Sequence, residues 1–451
     1  MRDLSEGPAG RQIFIFALPM IIGNVFQQLY NIVDTIIIGR YIGTDALAAA
    51  GASFPVIFVL ISLVIGVTTG TTIIISQYFG AKDYEAVKRA IDTAFIFLFF
   101  ASILLTVAGI LGIGMIWRLI GLPEHLVADA TLYFNIFAAG LVLMFGYNAT
   151  SAILRGLGDS KTPLYFLIIS TILNIGFDLL FVLVFHWGVA GVAVATVLAQ
   201  GIAFGLSIIY LNRTHKIIRF AYRGLTFDRE IFRNSLRIGL PTGFQHTFVA
   251  LSMMALMSIV SRFGAATIAA YTIAGRIDMF AALPAMNFGL ALSTFVGQNL
   301  GAGKPERIRA GLRSTLIMAN VISVLVSLTA WFFGRELMRV FTTDAEVIEI
   351  GYSYLVIVSS FYIIFSSMFV TQGVLRGAGD TLVTMFITLF SLWALRIPFS
   401  YLLSLRYGTD GIWWGIPIAW LFGFVASYIY YMSGRWKRKA VVKGPVKQTE
   451  T

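Results

Sequence analysis

Apolar runs of roughly 20 residues or more recur along the whole chain, separated by short polar stretches. A helix of that length crosses a hydrocarbon core of about 30 Å. Twelve spans are expected, at 13–38, 47–78, 90–116, 127–150, 163–185, 189–211, 238–261, 267–298, 314–333, 347–370, 383–405 and 411–432. The first breaks its own pattern. In "NVFQQLYNIVDTIIIGR", Asn24, Gln27, Asn31 and Asp34 fall at i, i+3, i+7 and i+10, one face of a helix otherwise made of Val25, Phe26, Leu29, Ile32 and Ile36. A carboxylate and three amides in one stripe need a reason inside lipid.

The chain also repeats itself. "LRGLGDSKT" from Leu154 returns as "LRGAGDTLV" from Leu375, and "SQYFGA" around Gln77 returns as "GQNLGA" around Gln298, both 221 residues on. Pro19 matches Pro241 at 222, and Gly188 and Gly191 match Gly408 and Gly411 at 220. Each half therefore holds six spans, and an even number gives both halves one orientation, the parallel-repeat arrangement. The expected division is a first lobe over 1–211, a basic cytoplasmic link over 212–237, a second lobe over 238–432 and a basic tail over 433–451.

Composition agrees with a lipid setting: 58% of residues are hydrophobic and only 12% charged, about half the charge of a soluble domain. The net charge of +11 would suit a nucleic-acid partner if it were not so unevenly placed. With the N-terminus inside, cytoplasmic segments hold 25 of the 33 Lys and Arg, outer segments six, and Arg276 and Arg396 lie within spans. That is the positive-inside signature of a multi-pass protein of the cytoplasmic (inner) membrane with both termini inside. The lipid bilayer is the expected partner, no nucleic acid is, and the chain is expected to be a monomer. Cysteine is absent, which excludes disulfides and thiolate metal sites.

Of the 22 acids only Asp34, Asp178 and Asp278 lie well inside spans. The repeat acts as a control, because Asp34 maps to Ala255, Asn174 to about Leu395 and Asp178 to about Phe399. The scaffold is duplicated and the carboxylates are not. Counting from the span ends, Asp34, Asp178 and Thr196 all lie about 7–11 Å below the outer boundary, and Asn174 sits one turn below Asp178. Such an oxygen-rich level suits a hard monovalent cation or a proton. Two nearby carboxylates there are expected to titrate as one coupled unit. Gln200, Asn24 and Gln27 read more simply as interhelical hydrogen bonding, and Gly66/Gly70 and Gly201/Gly205 as close helix packing.

Taken together, these features resemble the multidrug and toxic compound extrusion (MATE) family over essentially the whole chain. The resemblance rests on twelve spans in two halves, Pro19 with Asp34 downstream, "LRGLGD" after span 4, "NIGFDLLFV" in span 5 and "GQNLGAGKPERI" after span 8. It implies an all-α, V-shaped, alternating-access antiporter that extrudes small organic cations and drugs against inward Na⁺ or H⁺ flow. It implies no enzymatic activity and no cofactor beyond the coupling ion. Position by position, the family's first-lobe cation or proton site falls on Asp34, Asn174, Asp178 and Thr196, with Na⁺ as its metal where a metal binds. Pro19 matches the proline at which helix 1 bends. Gln27, Tyr30, Asn31, Asp278 and Arg396 are the candidate lining of the substrate cavity, Asp278 as a cation contact or as the partner of Arg396. One branch of the family also places acids on helices 7 and 10; here helix 7 has none, and none lies well inside span 10.

Other classes fit less well. "GQNLGAGKP" lacks both P-loop spacing and a Ser or Thr after Lys304, so ATP drive is not expected. "GLGD" and "GAGD" resemble an intramembrane aspartyl protease signature but fall in cytoplasmic loops. The remaining alternative is a lipid-linked oligosaccharide flippase of the same wider superfamily, which needs an extended basic cavity. With 38 Phe and 14 Met, the chain suits flat apolar cations better.

Overall fold

The computed structural model describes residues 2–214 and 224–442, so 215–223 of the expected link and 443–451 of the expected tail lie outside the described residues. Fourteen α-helices follow one another: α1 (Ala9–Ile37), α2 (Thr44–Gly80), α3 (Tyr84–Leu119), α4 (Glu124–Ala139), α5 (Leu141–Gly156), α6 (Lys161–Leu179) and α7 (Gly188–Thr214). After the link come α8 (Arg229–Val260), α9 (Ala265–Gly301), α10 (Glu306–Arg339), α11 (Ala345–Ser359), α12 (Tyr362–Gly377), α13 (Thr381–Leu389) and α14 (Ile397–Met432). Among the described residues there is no strand.

Nine stretches are long and apolar enough to cross a membrane, and the pairs α4–α5 and α11–α12, each bent by 50° at its break, add one crossing apiece. The last stretch, Thr381–Met432, has 52 residues. At 1.5 Å per residue it is about 78 Å long, more than twice a hydrocarbon core. It breaks at Gly408, whose φ of 61° and ψ of −138° lie outside any helix, and so makes two passes. Twelve passes result, the number expected from the apolar runs.

The sequence repeat is a backbone repeat too. Positive φ occurs at Gly43 and Gly264, Lys82 and Gly303, Gly158 and Gly379, and Gly188 and Gly408, each pair 220 or 221 residues apart. Turns therefore recur where the motifs recur, with Lys82 carrying the strain that Gly303 avoids.

The chain divides into two compact units. One holds Ile22–Phe79 and Asp83–Gly243; the other holds Asp3–Ile21, Gly80–Lys82 and everything from Phe244 on. Besides α2, whose last residue Gly80 falls in the second unit, two helices begin in one unit and end in the other. The change comes two residues after Pro19 in α1 and two residues after Pro241 in α8, and both helices continue through their prolines. Proline removes one backbone hydrogen bond at such a point, which lowers the resistance to bending.

In the first unit α2 meets α8 backbone to backbone: a Cβ on Gly66 would lie 2.5 Å from the Gly239 oxygen, and one on Gly70 would lie 2.6 Å from the Ser235 oxygen. In the second unit α9 and α12 meet in the same way through Gly289 and Gly373. The second unit also clamps the start of the chain. Leu4, fully buried among Ile13, Phe16, Phe288 and Phe295, donates its N–H to Gln298 Oε1 at 2.8 Å. Asn299 Nδ2 donates to the Leu4 oxygen at 3.3 Å, Lys304 Nζ to the Ser5 oxygen at 3.2 Å and Arg307 Nη2 to the Gly7 oxygen at 2.7 Å. The polar side chains of "GQNLGAGKPERI" hold the protein's own N-terminal segment.

Candidate functional site

In the first unit, α1, α6 and α7 bring the sequence-derived residues together. Asp34 lies one turn before the end of α1, and a π-helical turn, Ile38–Ile42, follows. Asp178 ends α6 in the same way, with the π-helical turn Leu180–Val184 behind it. Wide turns of this kind re-aim the residues beside them and recur at functional sites. Gly191 lets α7 pack on the second wide turn, because a Cβ there would meet Phe181 at 3.0 Å. Thr196 then faces α6 and α1.

The geometry is a small oxygen cluster. Asn174 Nδ2 donates to Thr196 Oγ1 at 3.3 Å, and the Tyr30 hydroxyl meets the same Oγ1 at 3.2 Å. The carboxyl groups of Asp34 and Asp178 stand in one another's electrostatic field. Asp178 is fully buried, Asn174 and Thr196 nearly so, and Asp34 half-buried. Yet Asp34 Oδ1, both oxygens of Asp178, Asn174 Oδ1 and Gln200 Oε1 are buried without a hydrogen-bond donor among the described residues. Neither aspartate has a Lys or Arg partner within 4 Å there. Buried acceptors are ordinarily satisfied, so this cluster has the chemistry of a site that receives a proton or an alkali cation. Among the described residues no group of three or more His, Cys, Asp or Glu exists, which is what a transition metal would want.

A cavity of about 240 Å³ opens beside the cluster, with Gln27, Tyr30, Asn148, Asn174, Thr196 and Gln200 on its polar side and Ile61, Val64, Met144 and Phe145 on its apolar side. Gln27 and Tyr30 belong to this wall. Asn31 does not: it is exposed, and its amide donates to Gln28 at 3.2 Å. Tyr133 on α4 also stands in the electrostatic field of both aspartates. Sequence reasoning missed it, because a tyrosine in a membrane span carries no distinguishing signal.

Asp278 and Arg396 lie in the second unit. The Asp278 carboxylate accepts the Tyr362 hydroxyl at 2.5 Å and the Tyr354 hydroxyl at 3.4 Å. Among the described residues it has no ion pair within 4 Å, with Arg396 or any other base. Arg396 is buried at the end of the π-helical segment Phe390–Arg396, and its Nε has no hydrogen-bond partner among the described residues. Tyr271 stacks on Trp413 at 5.7 Å, and Tyr354 meets the same indole edge-on at 5.1 Å.

The sequence profile of the MatE family matches this chain over residues 19–180 and 241–402, the two halves of the repeat. A probable multidrug resistance protein of Bacillus subtilis (strain 168), YpnP, is 34% identical over 435 residues, covering 96% of this chain and 97% of that protein. An FAD transporter of Shewanella oneidensis is 26% identical, covering 94% of this chain and 95% of its own. A solved structure described as the outward-facing conformation of a multidrug resistance MATE family transporter is 25% identical with a TM-score of 0.90, covering 97% of this chain and 98% of that one.

Proposed function

Because the chain belongs to the MatE family of membrane transporters, we propose that it is a secondary active antiporter extruding organic cations in exchange for inward Na⁺ or H⁺. The observation that carries this reading is the pairing of Asp34 with Asp178 amid buried oxygens that have no donor, beside a cavity in the same unit. Two carboxyls in such a place repel when both are ionised and are relieved by one proton or one Na⁺. The cluster therefore changes charge when the coupling ion enters or leaves.

Loading lowers the negative charge of the pair and weakens the attraction that holds a cationic cargo in the first unit. Bending of α1 at Pro19, where a backbone hydrogen bond is missing, closes the cavity lined by Gln27 and Tyr30 and drives the cargo outward. Loss of the ion towards the cytoplasm resets the cycle. Asn174 and Thr196 supply neutral oxygens for Na⁺; for a proton they serve to hold Tyr30 and the carboxyls in place.

The test is efflux of a fluorescent cationic dye, such as ethidium, from proteoliposomes under imposed Na⁺ or H⁺ gradients. Dye movement that requires one of the two gradients supports the reading. Equal movement with and without either gradient overturns it.

A further inference from the structure

Arg376 occupies the last turn of α12, where a basic side chain ordinarily meets the unpaired carbonyls of the helix end. Here it turns the other way. Its Nη2 donates to the Phe369 oxygen, seven residues back along the helix, at 3.4 Å, and the guanidinium stands 5.9 Å from the centre of the Phe369 ring. The Nε is buried and has no hydrogen-bond partner among the described residues. Among the described residues no carboxylate lies within 4 Å of Arg376. Gly289 of α9 stands on another side, where a Cβ would come 3.6 Å from Nη2.

A guanidinium keeps its charge in any setting and presents five N–H donors in a planar fork. Half-buried with its Nε shut away from solvent and no counter-charge beside it, it is unfavourably placed, and the usual remedy is a carboxylate or phosphate. The repeat-related Arg155 carries no such orphan nitrogen, so the arrangement is not a general requirement of the duplicated "LRG" turn. Aromatic rings continue from Arg376 along α12 and across to α14: Phe369 lies 4.6 Å from Phe365, which lies 4.8 Å from Trp420 of α14. We propose that Arg376, with this aromatic run behind it, is an anion subsite of the second unit. It takes the phosphate or carboxylate of a flat aromatic cargo. The inference rests on the transport reading above and extends its cargo from cations to aromatic anions.

The experiment uses the purified full chain in phosphatidylcholine nanodiscs, with 4-methylumbelliferyl phosphate and 4-methylumbelliferone as fluorescent probes differing only by the phosphate. The wild type is expected to bind the phosphate at least tenfold more tightly. Arg376→Gln is expected to erase that preference, Arg376→Lys to restore part of it, and ethidium binding to persist in both. Equal affinity for the two probes, or a preference that survives Arg376→Gln, overturns the proposal. Should Arg376→Gln fail to fold, displacement of the bound phosphate probe by inorganic pyrophosphate from the wild type decides: displacement supports the subsite and its absence overturns it. Nanodiscs containing phosphatidylglycerol separate a cargo from a lipid headgroup, since loss of the preference there would give the guanidinium to lipid and overturn the cargo subsite. Ethidium efflux run in parallel keeps the two readings apart: dye that is pumped while the phosphate preference is absent removes this inference alone.

Discussion

Asp34 and Asp178, 144 residues apart in the chain, bring their carboxyl groups into contact range of one another's charge, although neither has a hydrogen to donate when ionised. Only a shared proton or a cation makes that contact favourable. The account of transport follows from this one relationship.

Asp34→Asn keeps the size and polarity of the side chain and removes its charge. The variant is expected to fold and insert, because Asp34 Oδ1 has no donor to lose, and to lose gradient-driven dye efflux. Efflux at the wild-type rate from a normally expressed Asp34→Asn protein would remove the pair from the coupling step.

Asp278 is placed differently, with two tyrosine hydroxyls satisfying its carboxylate. We expect Asp278→Asn to narrow the range of dyes exported while Na⁺ or H⁺ drive is retained. Tyr362→Phe removes the shorter of the two hydrogen bonds, and a bond to a charged group contributes about 1.5–3 kcal/mol. A lower melting temperature in detergent should result, with coupling intact. An unchanged dye profile in Asp278→Asn would leave Asp278 a structural residue.

Leu4 is expected to matter for stability and not for chemistry. Its side chain is fully buried under the clamp formed by Gln298, Asn299 and Arg307. Leu4→Ala should cost about 2–5 kcal/mol, read as a lower melting temperature. A melting temperature equal to that of the wild type would mean that the N-terminal segment is not held in solution.

Much of this was legible before any coordinates. Acids are so costly in apolar spans that Asp34 and Asp178 stood out, and the repeat, by lacking them in its second copy, marked them as candidates for a site, which the structure brings together. Asn174 and Thr196 followed from depth. The polar stripe of α1 was read too broadly: at 3.6 residues per turn Tyr30 and Asp34 share a face, whereas Asn31 sits about 100° round from Tyr30 and turns outward. Tyr133, Tyr354 and Tyr362 escaped notice because aromatics are common throughout the spans, at 14% of the chain. Arg376 was read as part of a cytoplasmic loop, since "LRGAGD" has the residues of a turn. In the structure α12 runs on to Gly377 and the side chain folds back along it. Direction of a long side chain is set by its neighbours, which spacing alone does not reveal.

The central claim, that one pair of carboxyls receives whichever ion drives transport, is tested most directly by competition. Apparent Na⁺ affinity of the purified protein is measured by titration at a series of pH values from about 5 to about 8, spanning the range in which a coupled carboxyl pair exchanges its shared proton. A shared site predicts that Na⁺ binding weakens steadily as pH falls, approaching tenfold per pH unit where the pair is protonated, and that Asp34→Asn flattens the dependence. Na⁺ affinity that stays constant across this range in the wild type would contradict the shared site, even if both ions proved able to drive efflux.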